Sequence, residues 1–157
     1  MTDRVVAHQG AACWATLFTH AHYLPCLAVL LQSMRACQTR YPLVVMLTET
    51  VDARTRERLA RMGCVLRDVD AWRVPHADGS LAFERFQNVW TKLRAFELYE
   101  YERVVMIDSD MLMCHNMDEL FDLPLERGMI AAAFACTCNP KPVSYTHLRA
   151  HETSLHL

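Results

Sequence analysis

Asp108 and Asp110 stand two apart, directly after the apolar run Val104-Val105-Met106-Ile107. In extended chain, residues two apart project to the same side, so these carboxylates are expected to converge. Carboxylate oxygens are the ligands a hard divalent cation takes, and such a cation can bridge a diphosphate and stabilise the charge that builds on it as it leaves. The spacing alone decides little, because Asp68-Val69-Asp70 repeats it in the same chain. Position separates the two: Asp108 ends a run that reads as a buried strand, where neighbouring acids cost desolvation unless a cation compensates them.

An open parallel sheet binds ligands outside the carboxyl ends of its strands, so the elements that deliver Asp108 to such an end matter. Ala12 to Thr19 is an apolar, β-prone run that reads as a buried first strand. Pro25 suits a first helical turn, and Leu27, Leu30, Leu31 and Met34 recur at the spacing of one buried helix face. Leu43 to Leu47 is the short, wholly apolar run of a strand covered on both faces. Thr50 or Asp52 can cap a following helix that stops at Gly63, and Cys64 to Val69 resumes a strand. Asp70 to Arg85, with its Trp and Pro breaks and an Asp-Gly-Ser turn, reads as a loop. Asn88 to Tyr101 reads as a helix with Val89, Leu93, Phe96 and Leu98 mostly on one side. Arg103 to Ile107 is a further buried strand, Asp118 to Pro124 a helical turn, and Met129 to Phe134 a fifth strand. The alternation argues for an α/β fold with right-handed crossovers.

Composition narrows the function. A chain of 157 residues, 52% apolar and 22% charged, has the makings of one core and is not a disordered scaffold. A net charge of -2 gives no footprint for nucleic acid or anionic lipid, so neither is an expected partner. The four glycines are too scattered for a dinucleotide fingerprint or a Walker phosphate loop. Seven cysteines form an odd set without a C-x-x-C pair, which points to a reducing compartment. The first residues carry no signal-like apolar stretch, and Leu24 to Leu31 falls far short of a membrane span. The expectation is a cytoplasmic, soluble protein.

The words T-L-F-T-H-A-H-Y (Thr16 to Tyr23), W-T-K-L-R (Trp90 to Arg94), M-I-D-S-D-M-L-M (Met106 to Met113) and N-M-D-E-L-F-D-L-P (Asn116 to Pro124) occur in this order. Together they resemble family 8 glycosyltransferases of the glycogenin and galactinol synthase type, with Tyr41 to Val45 and Met62 to Val69 leaning to the latter. The resemblance runs from about Trp14 to Cys138. It implies a GT-A fold, Rossmann-like with a mostly parallel sheet, and a UDP-sugar as donor. It also implies manganese (or magnesium) on Asp108 and Asp110, and transfer of a hexosyl group with retention to an acceptor hydroxyl. Carried over residue by residue, Leu17, Thr19 and Tyr23 line the nucleotide site, with Tyr23 stacked on the uracil. Lys92 reaches the phosphates as a point charge and Ser109 touches the ribose. His20 stands where glycogenin has asparagine. The acceptor is a polyol, a sugar or a protein tyrosine, and a homodimer is compatible with the reading.

Each residue also has a plainer reading. Tyr23 and Trp90 fit core or boundary aromatics, Lys92 a solvated charge, and Cys136 and Cys138 buried thiols. His22, His76 and His115 lack metal-ligand spacing. Two other functions use the same aspartates or the same fold. A haloacid-dehalogenase-like phosphatase also runs an apolar strand into D-x-D, with Asp108 then a covalent nucleophile. Against it, Asp108 follows three strands and Met111 stands where that family prefers Thr or Val. A nucleotide-binding fragment without turnover is the non-enzymatic reading.

The family's later Asn-Ser-Gly, Asp-Gln and H-x-x-G-x-x-K-P-W motifs, the last with its third manganese ligand, do not occur. No residue present is therefore named as catalytic, the fragment itself is expected to be inactive, and one sheet edge is expected to be uncovered. Val143 to Thr153, VSYTHLRAHET, resembles the translation of a transposase adapter used in sequencing libraries. Residues 1–142 are accordingly read as the donor-nucleotide half of a glycosyltransferase domain, and 143–157, with His147, His151 and His156, as a non-native tail.

Overall fold

The computed structural model describes residues 12–72, 90–126 and 128–132. Two compact units divide the chain, Met1–Leu123 and Pro124–Leu157, and the sheet belongs to the first.

Four strands, β1 (Ala12–Phe18), β2 (Leu43–Leu47), β3 (Val65–Asp68) and β4 (Arg103–Met106), form one parallel sheet in the order β3-β2-β1-β4. β1 lies inside the sheet, pairing Thr16 with Val45 on one side and Ala15 with Met106 on the other. Its sequence fits that place, since every residue but Leu17 is buried. Trp14 and Phe18 face one hydrophobic cluster, and Cys13 and Ala15 face the other. β2 is buried throughout, as its unbroken apolar run requires of a strand covered on both faces.

Helix α1 (Leu24–Ala36) carries proline in its first turn and buries Leu27, Leu30, Leu31 and Met34 against the Trp14 face. Those four are the positions the helical spacing marks. Helix α2 (Ala53–Arg61) is capped by Asp52, whose side chain accepts from the Thr55 amide at 2.9 Å and from its hydroxyl at 2.7 Å. Those bonds from Thr55 hold the Asp52 carboxyl below the ordinary carboxylate range. Past α2 the chain turns at Gly63, whose φ of +84° is the left-handed conformation that glycine adopts freely.

Three expectations need correction. Of the helix read over Asn88 to Tyr101, Asn88 and Val89 lie outside the described residues, Trp90 is α-helical, and Thr91–Glu97 forms a 3-10 helix. Leu93 and Phe96 are exposed, and with Trp90 they recur every three residues. That spacing eclipses on a three-residue turn and leaves no broad stripe to bury an α-helix. β4 is half-buried along its length, because among the described strands only β1 flanks it. Met129 to Ala132, the described part of the expected fifth strand, forms none and is exposed. The turn over Asp118–Asp122 forms as expected, also as a 3-10 helix. Most of the 70–85 loop, Cys136, Cys138 and residues 143–157 lie outside the described residues.

Candidate nucleotide site

Because β1 and β4 are parallel neighbours, their carboxyl ends open on the same edge of the sheet. At the end of β1 the chain runs through Thr19 to His20, then turns in a 3-10 helix, Ala21–Tyr23. The Thr50 hydroxyl donates to the Thr19 carbonyl at 2.6 Å, so the segment that follows β2 pins this end. Thr19 Oγ1 lies 2.8 Å from His20 Nδ1. Past it, the His22 ring packs on Tyr23 with centroids 4.1 Å apart, and His20 lies 5.4 Å from His22. Tyr23 remains 39% exposed, which leaves ring surface free for a flat partner.

At the end of β4, Ile107 is buried and its amide donates to the Ala15 carbonyl at 2.9 Å. Asp108 and Asp110 are exposed beyond it, with Ser109 half-buried between them. The extended geometry expected of this pair is not what forms: the Met111 amide donates to the Asp108 carbonyl at 3.2 Å, closing a turn over Ser109 and Asp110. The two acids therefore sit on a tight turn.

Lys92 enters from the 3-10 helix Thr91–Glu97, which packs on β1 and β4. Its Nζ forms an ion pair with the Asp108 carboxylate. Leu17 is half-buried against the cluster to which Ala95, Leu98 and Tyr101 also belong, so it lies on the sheet face that this segment covers. The structure thus brings Leu17, Lys92 and Asp108 to one region, with Thr19, His20 and Tyr23 along the same edge. The control pair behaves differently. Asp68 is bound by Arg56, which also donates to the Val51 carbonyl at 2.9 Å and the Thr48 carbonyl at 3.0 Å. That first acid is a structural partner at the end of β3.

A network that the spacing of residues did not reveal anchors the acidic turn from behind. Asp118 is buried, and its carboxylate accepts from the Thr39 hydroxyl at 2.5 Å, the Arg40 amide at 3.0 Å and Arg40 Nε at 3.2 Å. Burial works against this charge, but the bonds from Thr39, Arg40 and Asn116 outweigh it and hold the carboxyl below the usual range. Asn116 Nδ2 also donates to the carbonyls of Cys37 and Gln38, both at 3.1 Å. Closer to the turn, the Met113 amide donates to Ser33 Oγ at 3.0 Å. The segment leaving Asp110 is thereby fastened along the end of α1. The word N-M-D-E-L-F carried the signal, but only as part of a family likeness.

Against known proteins, the sequence model of Glycosyl transferase family 8 matches residues 15–155. The chain belongs to glycosyl transferase family 8. The match reaches into the segment that sequence reading had set aside as a tail. Galactinol synthase 5 of Arabidopsis thaliana is 30% identical over 138 residues, covering 87% of this chain and 41% of the relative. Galactinol synthase 2 of Solanum lycopersicum is 32% identical over 109 residues, covering 69% and 32%. Galactinol synthase 2 of Ajuga reptans is 33% identical over 109 residues, covering 69% and 37%. The chain therefore spans well under half the length of the curated relatives it matches. With the family comes the GT-A fold, and the parallel sheet with flanking helices agrees with it.

Family 8 membership removes the phosphatase alternative built on Asp108. The expected manganese-dependent transfer with retention is not borne out by the fold. Among the described residues no three of His, Cys, Asp and Glu come together to hold a metal, so that dependence has no complete centre to rest on. Among the described residues none fixes the stereochemical course. Manganese or magnesium is usual in family 8, and Asp108 and Asp110 are hard oxygen donors of the right kind, short of a full set. No helix among the described residues is long and apolar enough to cross a membrane.

Proposed function

We propose that residues 1–142 form the donor-nucleotide half of a hexosyltransferase that takes its sugar from a UDP-sugar. The observation that carries this reading is the shared carboxyl edge of β1 and β4, with Lys92 bonded to Asp108 beside it. In open parallel sheets that edge is where nucleotides bind. Tyr23 would stack on the uracil, with Leu17, Thr19 and His20 lining the base side and Ser109 meeting the ribose. Lys92 would meet the diphosphate. Asp108 and Asp110 would supply two oxygen ligands to a manganese or magnesium ion. Such an ion, when bound, neutralises charge on the departing diphosphate. Residues of this chain would then bind and orient the donor, while the residues that hold and activate the acceptor would lie elsewhere in the complete protein. Its acceptor is a polyol, a sugar or a protein tyrosine.

The five cysteines among the described residues, Cys13, Cys26, Cys37, Cys64 and Cys114, are all free thiols, which supports a cytoplasmic location. Calorimetric titration of the complete protein with UDP, with and without manganese, tests the assignment. Saturable UDP binding lost in Asp108→Asn is expected. An affinity for UDP that ignores both Asp108→Asn and Tyr23→Ala would overturn it.

A further inference from the structure

Lys92 and Asp108 are both cast as partners of a bound donor, yet without one they are partners of each other. An ammonium on a carboxylate oxygen occupies the lone pairs that a divalent cation needs. It also places a positive charge where the cation would sit, and like charges at contact distance repel strongly. Both side chains keep solvent access, 38% for Lys92 and 51% for Asp108, so neither is trapped. The contrast with Asp68 is direct. Its partner Arg56 is a rigid fork committed to two backbone carbonyls as well, and leaving would orphan them. Lys92 is a point charge on a flexible stem, suited to changing acceptor. A diphosphate arriving at the same edge offers it several anionic oxygens in place of one carboxylate.

From this we propose that Lys92 is a built-in competitor of the divalent cation at Asp108, which the donor's diphosphate draws away. The inference rests on the donor-site reading above and deepens it. It makes cation and nucleotide bind cooperatively: each removes Lys92 from the other's way, and by linkage each raises the other's affinity by the same factor. A cation meeting the site alone must first break the ion pair. Exposed ion pairs are weak, so the handicap is about two- to five-fold in affinity.

The test is manganese titration of the complete protein, followed by the electron paramagnetic resonance signal of free manganese, with and without UDP. In Lys92→Met, manganese affinity without UDP is expected to rise about two- to five-fold, and the mutual enhancement by UDP to shrink by the same factor. Lys92→Arg, which keeps the cation, is expected to show no such rise. Lys92→Gln is the second neutral variant, should Lys92→Met lose its far-ultraviolet circular dichroism. Unchanged or weaker manganese binding in the folded neutral variant, with binding still abolished by Asp108→Asn, would overturn the competition and leave the donor site standing. Manganese binding indifferent to both Asp108→Asn and Asp110→Asn would overturn the site itself and the competition with it.

Discussion

The Thr39 hydroxyl lies 2.5 Å from the Asp118 carboxylate, a bond between residues 79 positions apart. Trp14 Nε1 donates to the same Thr39 oxygen at 2.8 Å, and the Trp14 ring meets Phe121 edge-on with centroids 5.0 Å apart. A buried acid thus joins the middle strand, the end of α1 and the segment that follows the acidic turn. Removing its charge while keeping its shape, as in Asp118→Asn, should cost about 1–3 kcal/mol, because several charge-assisted bonds weaken at once. Chemical denaturation at neutral pH measures it.

The same carboxyl gives stability a pH dependence whose sign is fixed. Its folded-state pKa is depressed, so its contribution is complete above the unfolded value of about 3.9 and is lost as pH falls through the folded one. Asp52, also depressed, acts in the same direction. Midpoints of denaturation should therefore fall below about pH 4, and Asp118→Asn should fall less steeply than the parent. A parallel decline in both would contradict the assignment.

Capping can be read separately. Asp52→Ala removes both bonds from Thr55 at the start of α2, and should lower the melting temperature of the protein. Asp52→Asn should recover much of that loss, since asparagine caps as well as aspartate. Thermal melts of the three proteins decide it.

Aromatic stacking predicts a graded series at Tyr23. Tyr23→Phe keeps the flat ring and should bind UDP much as the parent does, whereas Tyr23→Ala should lose about 1–3 kcal/mol of affinity. Calorimetry separates the two, and equal affinities in all three proteins would remove Tyr23 from the nucleotide site.

Thiol chemistry should follow burial. Cys13 is fully buried and burial pushes its thiol up to about 12, with Glu100 adding to the rise, while Cys114 is exposed. Since the thiolate is the reactive form, brief treatment with a maleimide at neutral pH should modify Cys114 well before Cys13. Peptide mass mapping over time gives the order.

Much of the sheet was legible because its signals are local. Leu43 to Leu47 has no polar residue and is buried on both faces, and the Leu27, Leu30, Leu31, Met34 spacing names the inward side of α1. Where sequence offered Thr50 or Asp52 as the cap of α2, the fold uses Asp52 and turns the Thr50 hydroxyl to the Thr19 carbonyl instead. That choice depends on where β1 ends, which no local pattern contains. The 3-10 geometry of Thr91–Glu97 was hidden for a different reason: a spacing of three suits both helix types, and only the exposure of Leu93 and Phe96 separates them. The Asp118 network was invisible because its partners are distant in sequence and share no period. Of the site, the two acids were legible from their spacing at the end of an apolar strand, Lys92 only by likeness to a family, and the ion pair between Lys92 and Asp108 came from the fold.

The interior position of β1 also orders the steps by which the chain assembles. β1 meets β2 after one short crossover, but Ala12 pairs with Arg103, closing a loop of roughly 90 residues whose entropic cost must be met before the pairing gains anything. Local β1-α1-β2-α2-β3 structure has no such delay. Docking of β4 is therefore expected to follow the local units, and the turn bearing Asp108 and Asp110 to arrive with it. Mutations that weaken the β1–β4 seam should slow the gain of nucleotide binding during refolding more than the gain of helical signal.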